Sequence, residues 1–87
     1  MERVCIDWKE KDATTTLNNA LEKLIKNEIP SIDIKNIVSN EFINDYDVEE
    51  PTDVNGWSCD WWSHMYYNGT RVEVYGEAFY GNISLSI

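Results

Sequence analysis

Asn68-Gly69 stands between two long segments in which apolar and polar residues alternate. A type I′ turn needs positive φ at both central residues, and Asn-Gly supplies that at little steric cost. As a two-residue loop it opposes Tyr67 to Thr70, and the rest of the register follows. One face of the hairpin then carries Met65–Val72, Ser63–Val74, Trp61–Gly76, Cys59–Ala78 and Trp57–Tyr80. The other carries Tyr66–Arg71, His64–Glu73, Trp62–Tyr75, Asp60–Glu77 and Ser58–Phe79. The first set is apolar and sets a large Trp over a Gly and a small Cys beside an Ala, which is how a core face is filled.

A second turn at Gly81-Asn82 extends the pattern. It opposes Tyr80–Ile83, Ala78–Leu85 and Gly76–Ile87, so Ile83, Leu85 and Ile87 join the core face while Ser84 and Ser86 point away. The expected unit is a three-stranded antiparallel meander. Residues 3–8 add a fourth strand, with Val4, Ile6 and Trp8 alternating against Arg3, Cys5 and Asp7.

Between them lie two helical patterns. Leu17, Ala20, Leu21, Leu24 and Ile25 recur at three- and four-residue spacing, behind Asp12 and Thr14 to Thr16 as N-cap candidates. Pro30-Ser31 interrupts the chain. Ile34, Ile37, Val38 and Phe42, extending to Ile43 or Tyr46, then predict a second helix that begins near Ser31 or Ile32. Residues 45–56, with Pro51 and Asn55-Gly56, read as a loop. The order is β-α-α-β-β-β: one α+β domain over residues 1–87, with two helices packed on one face of a mainly antiparallel four-stranded sheet. Its other face is left open, displaying Trp62, Tyr75, Phe79, Tyr66 and His64 among Asp60, Glu73, Glu77 and Arg71.

Charge narrows the function. Sixteen acidic residues against seven basic ones give −9 over 87 residues. From Asn36 to Thr70 there are seven carboxylates (Glu41, Asp45, Asp47, Glu49, Glu50, Asp53 and Asp60) and no lysine or arginine. Such a field repels nucleic acid, whose binding depends on cationic side chains neutralising phosphates, and it repels anionic lipid equally. A basic protein partner suits it. The 43% hydrophobic and 13% aromatic content means that the chain folds despite its acidity. No basic N-terminal segment precedes an apolar run and no apolar stretch nears membrane-spanning length, so the expected compartment is the cytoplasm. Asn68-Gly-Thr70 and Asn82-Ile-Ser84 match glycosylation acceptors and are read as turns.

Catalytic chemistry finds little support. His64, the only histidine, opposes Glu73 as a cross-strand ion pair, while Ser63 points to the opposite face. Cys59 lies on the core side without a neighbouring base. Zinc needs about four His or Cys ligands, and the chain holds one histidine and two cysteines. The acidic residues 45–53 lack the central Gly and distal Glu of an EF-hand loop. Asp60 and Glu77 face each other, but as solvated strand neighbours and not as a glycosidase pair. No phosphate-binding glycine loop is present. The chain is therefore read as a non-enzyme with no metal and no cofactor.

The expected role is a protein-binding inhibitor whose carboxylates imitate nucleic-acid phosphates in a basic, nucleic-acid-handling groove. Asp45, Asp47, Glu49, Glu50, Asp53 and Asp60 supply charge, and Trp62, Tyr75 and Phe79 are the aromatic anchors. The alternatives are a small-ligand or carbohydrate binder that stacks its ligand on Trp62, Tyr75 and Phe79, and a homodimer that hides the same face. In size, acidity and lack of enzymatic motifs the chain resembles the small acidic proteins that phages and mobile elements use against bacterial defences, anti-CRISPR proteins among them. Immunity proteins and antitoxins that neutralise basic nucleases share the profile. The likeness is one of type, implying a host-cell cytoplasmic inhibitor, and no motif transfers a residue's role.

Overall fold

Ile32-Asp33-Ile34-Lys35 alternates apolar and polar residues between Pro30 and Asn36, and it forms a strand. In the computed structural model, which describes residues 2–50, 60–77 and 81–87, the element order is β1 (Val4–Asp7), α1 (Ala13–Ile25), β2 (Ile32–Lys35), α2 (Ser39–Asp45), β3 (Trp61–Tyr67), β4 (Thr70–Glu77) and β5 (Asn82–Ser86). The strands make one mixed five-stranded sheet in the order β1-β2-β5-β4-β3. β1 and β2 run parallel, joined by α1, and the remaining pairs are antiparallel.

This corrects the expectation of four strands and of a second helix starting near Ser31. Ile34, Ile37, Val38 and Phe42 have helical spacing, but Ile32 and Ile34 also have strand spacing, and the second pattern prevails. Pairing with both β1 and β5 buries the two isoleucines completely, an environment in which β-branched residues pack well. Asn36, at φ 54°, ends the strand, and Val38, expected in the apolar stripe, is 53% exposed. The second helix is consequently short, and Phe42 is its buried residue.

The hairpin follows the turn. Asn68 and Gly69 have φ 49° and 81°, and all pairs from Tyr67↔Thr70 to Trp61↔Gly76 occur as expected. β3 begins at Trp61, so Asp60 and Glu77 are not ladder partners. The expected pairs of Trp57, Ser58 and Cys59 lie outside the described residues.

The β4–β5 register differs from expectation. Val74 pairs with Leu85 and Gly76 with Ile83, a shift of β5 along β4 relative to the expected pairs. The shift is by an even number of residues, so the side-chain faces are preserved and Ile83 and Leu85 remain buried. Ile87, now beyond the paired residues, is 59% exposed and not part of the core.

α1 packs over β1 and β2 through Leu17, Ala20, Leu21 and Leu24. Asp12 is its N-cap residue but makes no side-chain capping bond. Both helices end with a left-handed residue, Asn27 at φ 59° after α1 and Asp47 at φ 49° after α2. The following amides bond back to the last turn, Glu28 N–H to Lys23 O at 2.9 Å and Val48 N–H to Ile43 O at 3.0 Å. This is the Schellman closure, and in α2 the residue after the left-handed position, Val48, is buried, as that motif favours. Among the described residues no helix is long and apolar enough to cross a membrane.

Candidate functional site

β3 is an edge strand, and edge strands must be covered or blunted to avoid uncontrolled pairing. Here the chain leaving α2 covers part of that edge. Glu49 N–H donates to His64 O at 3.0 Å, and Ser63 Oγ donates to Glu49 O at 2.5 Å. Ser63 belongs to the core face, and this bond satisfies its hydroxyl there. Glu49 is thus tied to the strand through both its backbone N–H and its C=O, with the Glu49 and Glu50 side chains left exposed.

The face of the sheet away from the helices carries Trp62, His64 and Tyr66 on β3 and Arg71, Glu73 and Tyr75 on β4. Trp62 is 54% and Tyr66 58% exposed. The Trp62 and Tyr75 ring centroids are 5.1 Å apart with planes inclined at 47°. Tyr75 Oη donates to Asp60 Oδ2 at 2.6 Å. The cross-strand ion pair expected between His64 and Glu73 does not form. Glu73 Oε1 instead accepts from Arg71 Nε at 2.8 Å, because residues two apart on a strand share a face. His64 meets Tyr66 edge to face at 5.6 Å.

The edge segment and this face enclose a cleft of about 400 Å³ lined by Glu49, Glu50, Trp62, Ser63, His64, Arg71 and Glu73. The structure therefore brings Glu49, Glu50 and Trp62 together, with Tyr75 and Asp60 linked to Trp62 from the side. Asp45 and Asp47 are elsewhere. They line a separate depression with Thr14, Asn18, Tyr67 and Asn68, on the α1 side of the hairpin. Asp53 and Phe79 lie outside the described residues. Sequence reasoning placed Arg71 and Glu73 at the rim of the aromatic face but missed that they bond to each other. It also missed the cluster at the far end of the sheet, where Arg3 pairs with Asp33 and Ser84 Oγ donates to Asp33 Oδ1 at 3.0 Å. The adjacency of β1, β2 and β5 that builds this cluster required β2 to be a strand.

The hydrogen bond to Asp60 pushes the Tyr75 phenol up to about 12, and burial and the charges of Asp60 and Glu77 act in the same direction. Burial also raises Tyr46 and Tyr67, the latter with help from Glu22. For Tyr75 the folded value lies above the unfolded value of 10.0. Its contribution to stability is therefore present below pH 10 and is lost as pH rises through about 12. Asp60→Asn should return the Tyr75 ionisation toward 10.0, which near-ultraviolet absorbance titration of the two proteins measures directly. An unchanged titration curve would mean that the bond to Asp60 is not what raises it.

Among the described residues no three of His, Cys, Asp and Glu converge as metal ligands. Comparison with protein-family models, with curated proteins and with solved structures finds no match to this chain.

Proposed function

We propose that this chain is a non-enzymatic inhibitor that occupies a basic, nucleic-acid-handling surface of another protein. The observation that carries the reading is the backbone pairing of Glu49 to β3, which sets two carboxylates beside an exposed tryptophan in one cleft. Net charge of −9 steers encounter with a cationic groove, and an aromatic at the centre supplies desolvated contact area. In type, such a protein belongs with the small acidic inhibitors that phages and mobile elements direct against bacterial defences.

The geometry divides the expected binding residues into a central and an outlying group. Glu49, Glu50, Asp60, Trp62 and Tyr75 form the docking face, while Asp45 and Asp47 contribute to the long-range field. Local energetics agree with a functional use of that charge. Acidic residues at a helix C-terminus oppose the helix dipole, yet α2 ends on Asp45 and Asp47 follows just beyond its C-cap.

The test is affinity capture from a nuclease-treated bacterial lysate, with elution by duplex DNA. A nucleic-acid-binding protein that is retained by the wild type, displaced by DNA and lost on joint Glu49→Lys and Glu50→Lys substitution is the expected result. Retention that survives both the DNA and the charge reversal would overturn the mimicry. Capture of nothing besides the bait would transfer the aromatic face to self-association or a small ligand.

A further inference from the structure

The cleft beside β3 has a charge arrangement that selects among cationic groups. Arg71 and Glu73 are joined by their 2.8 Å bond and neutralise each other on the sheet surface. Glu49 and Glu50 both line the cleft and make no ion pair among the described residues. Exposed indole surface of Trp62 lines the same space. The wall is set in place by bonds to the Glu49 main chain, Glu49 N–H to His64 O and Ser63 Oγ to Glu49 O, which leave both Glu side chains out of the scaffold.

We infer that this cleft is a receptor for one arginine side chain of the partner, its guanidinium stacked on Trp62 and hydrogen-bonded to Glu49 and Glu50. The inference rests on the reading of this face as protein-binding and names the chemistry of the contact. A planar guanidinium is weakly hydrated, stacks on an indole and presents several N–H donors in a fork that matches carboxylates. An ammonium is a compact, strongly hydrated point charge and gains less from the aromatic wall. A cleft of about 400 Å³ has room for one long side chain. Arginine is also the residue that most often contacts phosphate and base edges in nucleic-acid grooves, so an arginine receptor is what a mimic of nucleic acid needs at its centre.

The experiment uses the whole chain, labelled with nitrogen-15, titrated with a glycine-flanked arginine pentapeptide and with its lysine counterpart at equal ionic strength. The arginine peptide should shift the Trp62 indole N–H and the Glu49, Glu50 and His64 backbone amides, and bind about fivefold more tightly than the lysine peptide. Joint E49Q and E50Q substitution should weaken it about tenfold, with the hairpin amides of β4 unmoved. Equal binding of the two peptides, or shifts spread over the whole acidic surface, would overturn the receptor. If the arginine peptide fails while a captured target is still displaced by duplex DNA, the inhibitor reading stands and the arginine site falls. If the arginine peptide binds in the cleft and no DNA-displaceable target is captured, the receptor stands and the nucleic-acid mimicry falls.

Discussion

Gly76→Ala is expected to destabilise the protein by about 3 kcal/mol, the upper end of the usual cost of overfilling a packed core. A Cβ built on Gly76 would overlap Cε2, Nε1 and Cζ2 of Trp61, its direct partner across the β3–β4 ladder. Trp61 is 1% exposed and lies within the sheet-facing core, so its indole has no open space to move into. The glycine is required by contact and not by backbone shape: its φ is not positive, unlike those of Gly69 and Gly81. Chemical denaturation of the variant checks the magnitude. Combining Gly76→Ala with Trp61→Leu separates this cause from loss of strand propensity, because the smaller side chain vacates the space the methyl needs. The double variant should be less destabilised than the two single costs added together. Strict additivity would show that the indole and the methyl do not compete.

The Trp-over-Gly pairing was legible in the sequence because Asn68-Gly69 determines a register and alternation then assigns every side chain to a face. Turn and alternation are both local signals, and Met65, Val72 and Val74 accordingly lie in the core and Trp62 and Tyr66 outside it. Such signals weaken where two periods share the same residues. Ile34, Ile37 and Val38 satisfy a helical spacing, and only the presence of β1 and β5 on either side of Ile32 and Ile34 decides for a strand. Those neighbours are distant in sequence, so no local pattern contains them. The β4–β5 register departs from the one a tight turn at Gly81-Asn82 implies, because Asn82 is already paired with Glu77. The faces were still right, since hydrophobic alternation specifies parity and not position. The site divides the same way. Trp62 opposite Tyr75 follows from register alone, but the approach of Glu49 to His64 is a tertiary contact with no signature in the sequence.

Phe42→Ala should cost about 4 kcal/mol, as large aromatic truncations in cores do, and it should also loosen the docking cleft from a distance. Phe42 is fully buried and is the buried residue of α2. Its ring meets Trp8 at 6.1 Å and Tyr46 at 5.2 Å. A helix as short as Ser39–Asp45 has no stability of its own in water, so its position depends on this anchor. The closure from Val48 N–H to Ile43 O hangs on that helix, and Glu49 follows directly. Removing the ring therefore removes the support for one end of the segment that carries Glu49 and Glu50, while the ladder between β3 and β4 keeps its own bonds. Hydrogen exchange distinguishes the two: the Glu49 amide should lose far more protection in Phe42→Ala than the amides of the β3–β4 ladder. Phe42→Leu, which preserves most of the buried volume, should retain it. If the Glu49 amide stays as protected as the ladder in the alanine variant, β3 alone holds the acidic segment, and the placement of the two carboxylates does not depend on α2.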